Sequence, residues 1–262
     1  MTACRTTRRE FAQSMTAMAG GLALSRLAAP LSAQAADQKP WRLAAKPGAA
    51  PASPAAAGLH KLGLREERDA QLYIPEAASK FEKAPLVLSL HGASRNSDRG
   101  IELFRPLADE LGFLLLAPAS EEVTWDGIAN DWGPDPAFIN LCMAQTFKMR
   151  SVDASRIAMA GFSDGASYSL SIGLANGDMF RAVFGFSPGF IVPADHTGKP
   201  PVFISHGTID PVLNIDACSR RIVPELRKEG YKVTYKEFEG KHTLPPEIAS
   251  QAMKWFMDGA AS

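Results

Sequence analysis

The stretch Gly161-Phe162-Ser163-Asp164-Gly165 constrains this chain more than any other. It lies between Arg156–Ala160, a short apolar strand pattern, and Ala166–Ala175, which can form a helix. A serine on so sharp a strand-to-helix turn needs glycine on both sides, because the turn is strained and neighbouring backbone passes close by. The turn lifts the hydroxyl clear of a sheet. It also leaves the Asp164 N–H at a helix N-terminus, where it can face developing negative charge.

The downstream partners make the pattern specific. Val202–Val212 reads as a buried strand, Val202–Ser205, running into a loop that carries Asp210. Val233–Phe238 reads as another strand, and Glu239–Thr243 after it holds His242. Nucleophile, acid and histidine thus follow strand ends, in the order serine, aspartate, histidine. A serine hydroxyl is a poor nucleophile at neutral pH. His242 can take its proton because imidazole titrates near neutrality, and Asp210 can hold the imidazole in the required tautomer. Leu86–Leu90 supplies an earlier strand that ends in His91-Gly92-Ala93. The N–H of Ala93, with that of Asp164, is the expected pair of oxyanion donors. The pattern implies acyl transfer through Ser163. His91 and His206, each in a strand-end His-Gly pair, read as structural. Asp210 precedes Pro211 and can also be read as a turn residue, and Asp216 as the cap of the next helix.

With these four motifs in view, Leu86–Met257 resembles the α/β-hydrolase superfamily. It is most similar to the bacterial phospholipase/carboxylesterase group, with poly(3-hydroxybutyrate) depolymerase-like and feruloyl esterase-like neighbours. The resemblance implies a triad of Ser163, Asp210 and His242. This chain carries Asp164 where many relatives have Gln, and Ala93-Ser94-Arg95-Asn96-Ser97 where many have a glycine-rich stretch.

The rest of the chain fits one α/β domain. Its 262 residues are 46% hydrophobic, enough for one sizeable core. Leu59–Leu64 and Ala70–Ile74 read as an edge hairpin. Further strands are expected at Phe113–Ala117 and Ala182–Phe186, and helices at Gly100–Leu111, Pro136–Met149, Asp216–Glu229 and Pro246–Met257. Strands alternating with helices predict a mostly parallel central sheet covered on both faces. Residues 118–135 read as a long loop at the rim of the site. Trp125 and Trp132 there are candidates to line the substrate pocket or to pack the loop down. Phe186, Pro188, Phe190 and Ile191 are candidates for the opposite wall. No long lid is inserted, so an open cleft is expected.

Thr6-Thr7-Arg8-Arg9-Glu10-Phe11, the weakly apolar run Met15–Leu31 and Ala33-Gln34-Ala35 together read as a twin-arginine-type signal over residues 1–35. This predicts use of export machinery and a periplasmic or secreted location. Cleavage after Ala35 leaves 24 basic and 27 acidic residues. Residues 36–57, rich in Ala and Pro, read as a linker ahead of a catalytic domain at 58–262. Cys142 and Cys218 remain, either as a disulfide or as buried thiols. There is no basic stripe or motif for nucleic acid, and the expected chemistry needs no metal or organic cofactor. The expected activity is a serine carboxylic-ester hydrolase on a small-molecule ester. Alternatives are lysophospholipid, polyester-oligomer or feruloyl-type ester cleavage, transacylation, amide cleavage, or a binding module that keeps only the fold.

Overall fold

The computed structural model describes residues 39–129 and 131–259. The signal expected over residues 1–35 lies outside them, as does Asn130. Eight strands form one sheet in the order β1-β2-β4-β3-β5-β6-β7-β8. They are β1 Gly58–Lys61, β2 Gln71–Ile74, β3 Ala84–Leu90, β4 Leu114–Ala117, β5 Val152–Phe162, β6 Ala182–Phe186, β7 Val202–Gly207 and β8 Val233–Phe238. β1 and β2 run antiparallel at one edge, and every pair from β4 to β8 is parallel.

Six helices cover the sheet: α1 Ser97–Leu111, α2 Asp126–Ala129, α3 Asp135–Met149, α4 Asp164–Ala175, α5 Ser219–Lys228 and α6 Pro246–Met257. Strand side chains alternate between two cores, as the period of two demands. Leu86, Leu88 and Leu90 of β3 join Ile157, Met159, Val183 and Ile204 on the face beneath α3, α4 and α5. Val87, Leu115, Ala158, Phe184 and Phe203 face the other way, against Phe104 of α1 and Met253 and Phe256 of α6. Both faces are covered, so the central strands are apolar throughout, as expected of a buried parallel sheet.

The strand order reverses at β3. The chain crosses from β3 to β4 on one side, then returns to β5 on the other. Such a reversal opens a crevice at the carboxyl ends of the two strands, where open α/β sheets bind ligands. His91-Gly92 leaves β3 there and Ser163 leaves β5.

One expected boundary moves. Residues 39–57 are not a free linker, and the compact unit begins at Lys39 rather than near Gly58. Leu43 is buried. Its N–H donates to Asn176 Oδ1 at 2.8 Å, and the Asn176 amide donates back to the Trp41 carbonyl at 2.8 Å. Asn140 Oδ1 accepts from the N–H groups of Ala44 and Ala45 at 2.8 and 2.7 Å. Arg42 donates to the Ala175 carbonyl at 2.5 Å, at the negative end of α4. Two asparagines therefore satisfy the backbone of an extended strap, a role that composition does not reveal.

Candidate active site

The turn after β5 has the geometry its sequence requires. Ser163 has φ 58° and ψ −123°, a strained conformation for a residue with a side chain. Its N–H donates to the Phe186 carbonyl at 2.9 Å, and its own carbonyl accepts from Ala166 and Ser167 in the first turn of α4. Backbone crowds both glycines. A Cβ on Gly161 would lie 2.0 Å from the Gly165 carbonyl oxygen, and one on Gly165 would lie 2.2 Å from that of Leu90.

Three loops bring the predicted residues together. His242, after β8, places Nε2 2.8 Å from Ser163 Oγ and Nδ1 2.6 Å from Asp210 Oδ2. A carboxylate only accepts, so Nδ1 carries the proton and Nε2 is free to accept from the serine hydroxyl. Asp210, after β7, has a fully buried side chain. Its other oxygen accepts the N–H groups of Val212 and Leu213 at 2.8 and 2.9 Å. Burial alone would raise this carboxyl. The bonds from Leu213, His242 and Val212 together outweigh burial and hold it below the usual range. It is therefore charged at neutral pH, facing the Nδ1–H of His242.

Gly92 lies against the serine: a Cβ there would be 3.3 Å from Ser163 Cβ and 3.8 Å from Oγ. The N–H groups of Ala93 and Asp164 form no hydrogen bond among the described residues. Asp164 Oδ2 accepts from Thr124 Oγ1 at 2.6 Å, tying the residue after Ser163 to the loop after β4. The loop after β3 is held to that same loop, since Ser94 N donates to the Val123 carbonyl at 2.8 Å.

His91 and His206 are both fully buried. Ser120 N donates to His91 Nε2 at 3.0 Å, so the ring is neutral and its Nδ1–H meets the Gly92 carbonyl at 2.8 Å. Burial, aided by nearby Arg68, pushes the imidazole down to about 4. The unfolded chain, with His91 near 6.5, then binds the proton more readily than the folded one. His91 contributes stability fully above that pH and loses it on the way down to 4, by about 3 kcal/mol in all. Burial raises Asp135 to about 6, which acts in the opposite sense over the same window. The test is therefore a difference. Urea unfolding of wild type and His91→Gln should show a gap that narrows steadily from pH 7 to pH 4.5, and a constant gap would contradict this reading.

The predicted pocket residues divide. Trp125 is fully buried rather than pocket-lining. It stacks on Tyr168 at 5.0 Å, and its Nε1–H donates to the His91 carbonyl at 2.9 Å. The cause is local. Asp126 N donates to Asp135 Oδ2 at 2.9 Å and Asp135 N donates to Asp126 Oδ2 at 2.8 Å. This reciprocal clamp folds residues 126–135 back on themselves and forms α2, where the sequence suggested only irregular loop. Trp132 is half-buried against Trp41 and Tyr168, and it donates to the Pro193 carbonyl at 3.2 Å. It packs the loop onto the strap. Phe186 and Pro188 are buried, so they form no wall. Phe190 is exposed. With it the structure exposes Val123, Ile209 and Val212, on the loops after β4 and β7. These four apolar residues stand on loops that follow the carboxyl ends of β4, β6 and β7, and three of them are not aromatic. Cys142 and Cys218 are separate buried thiols.

Comparison with known proteins agrees with this architecture. The phospholipase/carboxylesterase family matches residues 135–258. A probable feruloyl esterase C of Aspergillus niger is 30% identical over 167 residues, 61% of this chain and 60% of that protein. Feruloyl esterase C of Emericella nidulans is 38% identical over 105 residues, 39% of this chain and 37% of that one. The chain thus spans about 60% and 37% of the lengths of these two relatives. The solved phospholipase/carboxylesterase of Dyadobacter fermentans superposes with a TM-score of 0.56 at 19% identity, covering 78% of this chain and 98% of that one. The sheet order, the strained turn after β5 and the solved structure show the α/β-hydrolase fold, and residues 135–258 are similar to the phospholipase/carboxylesterase family.

Proposed function

We propose that the protein hydrolyses carboxylic esters through Ser163, His242 and Asp210. The observation that carries this is the unbroken hydrogen-bonded chain from Ser163 Oγ through His242 to the buried Asp210 carboxylate. Ser163 Oγ attacks the ester carbonyl carbon as its proton passes to His242 Nε2. The oxyanion is held by the N–H groups of Ala93 and Asp164. The C–O bond to the alcohol breaks and His242 Nε2 returns the proton to the leaving oxygen. Water then attacks the acyl-serine, gives a proton to the same nitrogen, and the acid leaves as the proton returns to Ser163. The resting chain needs no other co-reactant for these steps.

The rim of Val123, Phe190, Ile209 and Val212 supports an ester with an apolar or aromatic acyl or alcohol group, met in an open cleft. A cavity of about 330 Å³ beside Thr124 is lined by Glu121, Glu122, Asp126, Asp131 and Asp135. Its negative wall disfavours anionic esters. The twin-arginine stretch at residues 6–11 supports action outside the cytoplasm.

The test is a series of p-nitrophenyl esters from acetate to palmitate with methyl ferulate alongside, plus labelling by a fluorophosphonate. Ester turnover with one label per chain, absent in Ser163→Ala, is expected. A folded protein that neither labels nor turns over any ester would overturn the proposal. Turnover that appears only with an added alcohol acceptor would favour transacylation.

A further inference from the structure

Asp210 has a second histidine against it. His206, the last residue but one of β7, brings Nε2 to 2.8 Å from the Leu213 carbonyl and 3.3 Å from Asp210 Oδ2, while Nδ1 lies 2.7 Å from Ser219 Oγ. A carbonyl only accepts, so Nε2 carries the proton. The unprotonated Nδ1 then accepts from the Ser219 hydroxyl. The His206 N–H is thus aimed between Leu213 and the same carboxylate oxygen that His242 Nδ1–H occupies. Both side chains of the His206–Asp210 pair are completely buried.

We infer that His206 is a positioning residue for the Asp210–His242 pair, its Nε2–H facing Asp210 Oδ2 beside that of His242, its tautomer set by the Leu213 carbonyl and its ring oriented by Ser219. The inference deepens the proposed function and rests on it for its catalytic consequence. Its physical content is a full census of one carboxylate. Oδ1 takes two backbone N–H groups, and Oδ2 takes the His242 N–H, with His206 Nε2 a further 3.3 Å away. Four N–H groups thus surround the approximately four lone-pair sites of a carboxylate, so Asp210 has little freedom to rotate. Charge on Oδ2 is divided between two rings, which tempers how strongly it attracts the proton on His242.

A positively charged His206 would act differently, but burial holds its imidazole below the ordinary value, so it serves as a neutral donor. The other ionisable groups facing this cluster are few. Glu237 is the register partner of His206 on β8 and is paired with Arg220. The buried Cys218 lies near Asp210 ahead of α5, its thiol pushed up chiefly by burial. Neither forms a hydrogen bond with the Asp210 carboxylate.

The test reads His242 itself, by NMR titration of its ring signals in the free protein, with no substrate. Removing a donor from Oδ2 should leave it more basic toward His242. His206→Leu should therefore raise the His242 titration midpoint by about half a unit to one unit. It should also lower kcat about tenfold with KM unchanged, because Asp210 gains freedom. His206→Gln, which can present an amide N–H at the position of Nε2, should restore the midpoint to within about 0.2 units of wild type. Ser219→Ala keeps the tautomer, which the Leu213 carbonyl fixes, but removes the bond that orients the ring, so a smaller shift in the same direction is expected. It carries the test if His206→Leu does not fold.

An unchanged His242 midpoint in the folded variants, even with lower stability, would reduce His206 to packing and overturn the inference. The proposed function fails separately. If Ser163→Ala keeps full ester turnover while His206→Leu moves the midpoint, the coupling stands and the assignment of the nucleophile falls.

Discussion

Ser163→Ala is expected to lower kcat/KM for an activated ester by roughly 10⁴- to 10⁶-fold while leaving the far-UV spectrum and urea midpoint almost unchanged. The serine side chain makes one hydrogen bond among the described residues, to His242, so its loss costs chemistry rather than structure. Asp210→Asn is expected to cost on the order of 10⁴-fold, and the structure says why. Val212 and Leu213 both donate to Oδ1. The oxygen of an asparagine must occupy that position to satisfy them, so its NH₂ faces His242 in place of Oδ2. His242 Nδ1 must then accept, its proton moves to Nε2, and Nε2 can no longer take the proton of Ser163. The same NH₂ opposes the N–H of His206. More than about a tenth of wild-type activity in folded Asp210→Asn would mean that His242 does not act through this tautomer.

The parts of the site that could be read in the sequence are those in which each residue is placed by a strand end. Ser163, Asp210 and His242 lie one, three and four residues beyond β5, β7 and β8, and apolar runs mark β5 and β7 while β-branched and aromatic residues mark β8. What could not be read depends on side chains that satisfy distant backbone. Nothing in Asn140 or Asn176 announces that they hold residues 41–45. Trp125 reads equally as pocket or packing until Asp126 and Asp135, nine residues apart, each donate a backbone N–H to the other's carboxylate and turn it inward. The start of α5 moved from Asp216 to Ser219 because Asn214 Oδ1 accepts from the N–H groups of Asp216 and Ala217, which closes a turn before the helix. His206 had a usable signal. Its spacing of four from Asp210 puts both at one strand end, but the reading of it as structural gave it no partner.

The glycines around the nucleophile should divide sharply when each is replaced by alanine. At Gly161 the added methyl carbon would lie 2.0 Å from the Gly165 carbonyl oxygen and 2.3 Å from its carbon. Both obstacles are backbone, one at the end of β5 and the other in the first turn of α4, and no rotamer change relieves them. To make room, α4 must move off the sheet. Yet α4 is buried along its whole length, with Leu170, Ile172 and Leu174 in the core beneath it. Overpacking that only backbone movement can relieve is expected to cost at least about 3 kcal/mol, a large part of the ~5–15 kcal/mol that holds a domain folded. Gly161→Ala should therefore yield mostly insoluble protein, or a large fall in urea midpoint. Gly92 is the contrasting case. Its nearest neighbours are Ser163 Cβ at 3.3 Å, the Phe162 carbonyl oxygen at 3.4 Å and Ser163 Oγ at 3.8 Å, contacts that movement of a few tenths of an ångström relieves, so a methyl group there strains the fold little. It would instead occupy the space where a substrate carbonyl must approach the hydroxyl. Gly92→Ala should keep a urea midpoint near wild type and lose ester turnover by at least about a hundredfold, since small displacements of the reacting atoms are costly. A soluble, active Gly161→Ala would mean that the turn after β5 is looser than its geometry requires. A fully active Gly92→Ala would mean that the ester does not enter between the loop after β3 and Ser163.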